Sequence, residues 1–229
     1  MLGGFTFQDD GSLLLFEVDR ISTLSKRGEH RVLASGIDSD MVRFNDVIAD
    51  PEGRVFAGTI GQTDESGGLY KVERDGSVEL LWKGTGCANG MGFTPDLRGF
   101  YWTCSTTRRI FLADYARATG ALSNRREFYR ALPDEGIPDG MCVERSGQVW
   151  SARWGGSALL GIASDGSLLE RLELPVSRVS SVAFGGPELD TLYVTTAGGN
   201  VDDSADDGTL YRLNAKNPGT TEFRSRILL

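Results

Sequence analysis

A chain of 229 residues is long enough to bury a full core as one large all-β domain or two smaller ones. Its 40% hydrophobic and 24% charged residues are those of an ordinary folded protein, and a net charge of −8 argues against nucleic acid, which needs a concentrated basic surface. The amino terminus, MLGGFTFQDDG, has no cationic region followed by an apolar stretch, and the longest apolar run, Leu13 to Phe16, is too short to cross a membrane.

In chain order, one strand-turn-strand unit recurs as GFTFQDDGSLLLFEVD, DVIADPEGRVFAGT, GMGFTPDLRGFYWTCS, GMCVERSGQVWSARW and SVAFGGPELDTLYVTTA. Turn anchors fall at Gly11, Gly53, Leu97, Gly147 and Glu188. A second hairpin follows each unit, with compact turns at Asp75-Gly76 and Asp165-Gly166, the last reading GTLYRLNAKNPGTTEFRSRIL. The stretch LADYARATGAL, Leu112 to Leu122, reads as a hairpin around Thr119-Gly120 rather than a helix. Four strands per unit at a period of roughly 40–45 residues predict an all-β propeller with about five four-stranded blade units. No linker divides it, so residues 1–229 are expected to form a single domain.

Three oxygen-bearing side chains hold the same place in successive repeats: Asn45 in NDVIADPEG, Asn89 in NGMGFTPDL and Asp139 in DGMCVERSG. The remaining copies carry Gly3 and, approximately, Ser180. In a propeller such positions gather at one mouth of the central channel, surrounded by segments 59–66, 104–109, 152–157 and 196–208. Two amide carbonyls and a carboxylate suit a hard divalent cation. The competing reading is that Asn-Asp, Asn-Gly and Asp-Gly are merely turn formers. Calcium suits this all-oxygen set best, with Mn2+, Mg2+ or Zn2+ possible. Cys87, Cys104 and Cys142 show no paired spacing and read as reduced thiols in a cytoplasmic protein. His30, the only histidine, stands in a polar turn, which leaves no sensible histidine triad.

At these residues the chain resembles the gluconolactonase/regucalcin (senescence marker protein) family of six-bladed propellers. The matching stretches are RFNDVIADPEGRVFAGT (43–59), GCANGMGFTPDLRGFYWTCS (86–105), SNRREFY with GIPDGMCVERSGQVW (123–150), and SSVAFGGPELDTLYVT (180–195). The resemblance implies a metal-dependent lactonase opening a sugar lactone. It implies metal ligation by Asn89, Asp139 and an amino-terminal glutamate, with Asn45 completing the site directly or through water. It also implies that Arg43 contacts the substrate. The family's glutamate belongs to a first blade that precedes the region aligned with Met1. That blade is missing from the visible repeats, and Glu17 and Glu29 belong to a later unit.

In such a site Asp139 is the carboxylate expected to take a proton from water, with Asp46 as second choice or else a carboxylate bonding local backbone. Trp102 and Trp150 read as packing between blades, and Trp154 as a possible substrate contact. GGNVDDSADDG (198–208) reads as an acidic connecting loop, since it lacks the spacing of a calcium loop. Two other functions compete: a catalytically weak or inactive propeller that binds metal or a partner, and, last, a five-bladed glycosidase. The expected partner is a small-molecule lactone, with no nucleic acid and no membrane; nothing in the sequence sets the oligomeric state.

Overall fold

A computed structural model describes residues 1–199 and 206–228. Five antiparallel sheets follow one another along the chain. The first contains β1 (Gly4–Phe7), β2 (Leu13–Phe16), β3 (Arg20–Leu24) and β4 (His30–Ser35), and the second β5 (Met41–Ala49), β6 (Val55–Gly61), β7 (Gly68–Val72) and β8 (Val78–Lys83). The third contains β9 (Ala88–Phe93), β10 (Gly99–Cys104), β11 (Arg109–Ala116) and β12 (Ala121–Arg130). The fourth contains β13 (Ile137–Val143), β14 (Val149–Trp154), β15 (Ala158–Ile162) and β16 (Leu168–Glu173). In the fifth, β17 (Val179–Gly185), β18 (Thr191–Thr196) and β19 (Tyr211–Asn214) are paired. A single 3-10 turn, Pro133–Glu135, is the only helical element among the described residues. No helix there is long and apolar enough to cross a membrane.

Burial follows strand position. The middle strands GFYWTC, GLYKV and ALLGI are buried at every residue, as expected where both faces of a sheet are covered. The last strands, β4, β8, β12 and β16, contain no buried residue and carry charged side chains that discourage further pairing at an edge. The hairpin expected at LADYARATGAL forms, with β11 ending at Ala116 and Gly120 in the left-handed region at φ 68°. Turn anchors sit where expected except the last, where Leu189 (φ 56°), not Glu188, takes the left-handed conformation that Gly53 adopts in its own turn.

The chain divides into two compact units. One holds Met1–Asn89, Tyr115–Ser123 and Glu222–Leu229; the other holds Gly90–Asp114 and Asn124–Thr221. In the first, Leu14, Phe16, Phe44, Val55 and Ile227 share a core. The second has two clusters, one around Tyr101, Val149 and Leu160, and one around Trp150, Val179 and Val194.

The fifth sheet corrects the expectation of five four-stranded units. Among the described residues it has three strands, and the stretch expected to complete its last hairpin leaves it. Pro218 has no N–H to continue a ladder, and Gly219 bonds Leu189 O at 2.8 Å instead. Residues 222–228 return to the first sheet. Ser225 N–H donates to Phe7 O at 2.9 Å, its hydroxyl meets that of Thr6 at 2.7 Å, and Ile227 N–H donates to Gln8 Oε1 at 2.8 Å. Ser225 and Ile227 are buried while Arg224 is exposed, the alternation of a strand inserted at an edge.

Candidate functional site

The three candidate ligands lie inside strands, not in turns. Asn45 and Asp46 are in β5, Asn89 in β9 and Asp139 in β13. The ladder between β5 and β6 slips between Phe44 and Val47, which makes Asn45 and Asp46 the bulged residues. The same slip recurs between Pro138 and Met141, spanning Asp139 and Gly140, and between Val179 and Ser181, around Ser180. A bulge frees residues from the pairing and re-aims their side chains, which is why bulges recur beside active sites. Gly90 and Gly140 serve close approach rather than turning. Neither has a positive φ. A Cβ on Gly90 would lie 2.6 Å from the Asp139 carbonyl oxygen, and one on Gly140 would strike Ser181. The turn-former reading of Asn-Gly and Asp-Gly therefore fails here.

Asn45 and Asn89 come together around Cys87. Asn45 Nδ2 donates to Ala88 O at 2.9 Å and to Cys87 Sγ at 3.9 Å, and Asn89 Nδ2 donates to the same sulfur at 3.8 Å. With both NH2 groups held this way, each amide presents its oxygen on the opposite side. The Asn45 oxygen accepts from Arg43 Nη1 at 2.8 Å, and that nitrogen also reaches Phe44 O at 2.9 Å. Arg43 is thus held by an amide rather than by a carboxylate. Asp139 belongs to the other compact unit, where its main chain lies against Gly90, the residue that follows Asn89. Ser105 Oγ donates to Pro138 O at 2.7 Å and pins the chain just before it.

The donor types fit a hard cation: amide oxygens and a carboxylate. Among the described residues no cluster of three or more His, Cys, Asp or Glu offers a stronger set. Asn45 fits direct ligation less well than Asn89, because its oxygen already faces a guanidinium. Asp46 bonds local backbone, with Val47 N–H donating to Oδ1 at 2.8 Å. Burial pushes its carboxyl up to about 6. Burial, then the charge of Asp46, also raises Glu222 on the returning carboxy-terminal segment. Sequence reading missed Glu222 because only the unforeseen return of residues 222–228 brings it within reach of the Asp46 charge. Cys87 was missed in its local role too, although its place two residues before Asn89 was the available signal.

The other singled-out residues resolve simply. His30 Nε2 lies 2.8 Å from Ser22 Oγ on the surface, and Glu17 is engaged by Arg20 and Ser22. Trp102 and Trp150 are buried; Trp102 stacks on Phe111 and Trp150 Nε1 donates to Glu144 Oε1 at 2.9 Å. Trp154 is partly exposed, with the Arg178 guanidinium 5.8 Å from its ring centroid. Cys87, Cys104 and Cys142 are not joined in disulfides. Of the 198–208 loop, residues 200–205 lie outside the described residues.

Comparison with known proteins bears on the whole chain. The family described as "SMP-30/Gluconolactonase/LRE-like region" matches residues 1–198. Pentonolactonase XacC of Haloferax volcanii is 44% identical over 239 aligned residues, covering 100% of this chain and 81% of that protein. Regucalcin of Xenopus laevis is 31% identical, covering 88% of this chain and 71% of its own. The crystal structure of a calcium-binding protein, regucalcin, from Agrobacterium tumefaciens superposes with a TM-score of 0.91 at 25% identity, over 99% of this chain and 80% of that one. The fold class is accordingly an all-β propeller, here with five blade sheets.

Proposed function

Because the chain belongs to the SMP-30/gluconolactonase/LRE-like family, we propose that it is a metal-dependent hydrolase that opens a sugar lactone. The observation that carries this reading is the 44% identity, across the full chain, with a protein named a pentonolactonase. In this reading Asn89 and Asp139 hold a divalent cation, with Asn45 contributing through its oxygen or an intervening water. Calcium is the favoured ion, since every donor is a hard oxygen and a similar fold is named calcium-binding. Bound there, such an ion polarises a lactone carbonyl and makes water more acidic.

The chain's own groups do the rest. Asp139 accepts the proton of the attacking water as general base. Arg43, its guanidinium aimed by the Asn45 oxygen at 2.8 Å, donates to the oxyanion that forms on the substrate. Cys87 holds the NH2 groups of both amides and so fixes which way their oxygens face. A pH-stat assay of aldonolactone opening tests the reading. Activity should vanish with chelator and return with calcium or manganese. Binding of calcium without turnover, or turnover indifferent to chelator, would contradict it.

A further inference from the structure

Arg153 breaks the pattern of its strand. Along β14, Val149 packs into the cluster that contains Tyr101, Ile110 and Tyr129, while Trp150 and Ala152 pack into the other cluster with Val194. Strand alternation puts Ser151 and Arg153 on the Val149 side. Both are 0% exposed. Arg153 Nε, Nη1 and Nη2 have no hydrogen-bond partner among the described residues, and neither does Ser151 Oγ.

The surroundings are cationic. The Arg153 guanidinium lies over the Tyr129 ring at 5.1 Å, and Arg108 and Arg171 add positive potential. Glu135 is the carboxylate acting on Arg153, and its oxygens are taken: Oε1 by Tyr129 OH at 2.7 Å, Oε2 by Leu132 N–H at 2.8 Å; Glu173 is engaged by Arg171 at 2.5 Å. Burial pushes Arg153 down to about 10, still well above neutrality, so the side chain stays charged. A guanidinium offers five N–H donors and accepts nothing. An interior charge without acceptors is strongly disfavoured. Water would bring acceptors but no charge, whereas an anion would answer both needs against three arginines and two glutamates, Glu135 and the Glu173 paired with Arg171. Complete burial of Arg153 and Ser151 favours a monatomic ion over a sugar acid.

We propose that Arg153 and Ser151 form a buried site for a small monovalent anion of the halide class, held by the guanidinium and the serine hydroxyl. The site is independent of the hydrolytic reading, and its parts would bind equally in a chain without lactonase activity. Its occupant ties β14 to the segment 129–138 that leads into Asp139.

Bromide is the probe. With the full chain at constant ionic strength, exchanging methanesulfonate for bromide should raise the thermal midpoint saturably, by about 3–5 °C. Ser151→Ala should weaken the response about tenfold in midpoint concentration, and Arg153→Met should abolish it. Bromide-soaked crystals should show an anomalous peak in contact with Arg153 Nη and Ser151 Oγ. No peak there, or a midpoint shift equal in wild type and Ser151→Ala, overturns the site in favour of water. Should Arg153→Met fail to fold, the wild-type diffraction and Ser151→Ala decide the matter.

Discussion

Two arginines buried in this chain are treated in opposite ways. Arg54, 6% exposed, follows the turn Asp50-Pro51-Glu52-Gly53 and is met on every side. Its backbone N–H donates to Asp50 Oδ1, its guanidinium to Asp50 Oδ2 and to Arg117 O and Ala118 O at 2.8–3.1 Å, and its Nε faces Glu73 Oε2 at 3.4 Å. Tyr115 OH closes the network on Asp50 Oδ2 at 2.8 Å. Arg153, more deeply buried, has an aromatic face and no acceptor among the described residues. The first is a charge whose partners fold with it, so it organises the second sheet. The second requires something from outside. Burial alone does not separate structure from function; the completeness of the partner set does.

Three substitutions sharpen that contrast. Asp50→Ala strips Arg54 of its one fully buried carboxylate, leaving the more exposed Glu73 at 3.4 Å, and should cost about 3–5 kcal/mol in urea unfolding. Trp150→Phe is milder. It removes one donor from Glu144, a carboxylate 1% exposed that keeps Ser146 Oγ at 2.7 Å, and should cost about 1.5–3 kcal/mol in the same assay. Arg153→Met, measured without halide, should change stability by less than about 1 kcal/mol or raise it, since an apolar side chain replaces an unpartnered charge. If Arg153→Met in methanesulfonate proved as costly as Asp50→Ala, the two arginines would be equivalent and the contrast would collapse.

Much of the fold was legible because its signals are local. Short apolar runs such as LLLF and VFAG, punctuated by Gly53, Gly147 and their equivalents, mark strand, turn and strand without reference to anything distant. The register of Asn45, Asn89 and Asp139 was legible for the same reason. What stayed hidden depends on partners far along the chain. The bulges at Asn45-Asp46 and Asp139-Gly140 are defined against β6 and β14, and the return of Ser225 to Phe7 has no local signature. Gly90 and Gly140 look like turn residues in sequence, yet neighbouring strands demand their missing side chains. Arg153 could have been suspected, since VWSAR places a charge at an inward position of an otherwise apolar strand.

The central claim is that this chain hydrolyses lactones through the residue at the β13 bulge. Proton release from an aldonolactone, with saturating calcium, by wild type and by Asp139→Ala measures it directly. The account predicts a rate lowered about 10²–10⁴-fold in a variant that unfolds at the wild-type urea midpoint. A folded Asp139→Ala chain that opens the lactone at the wild-type rate would contradict it.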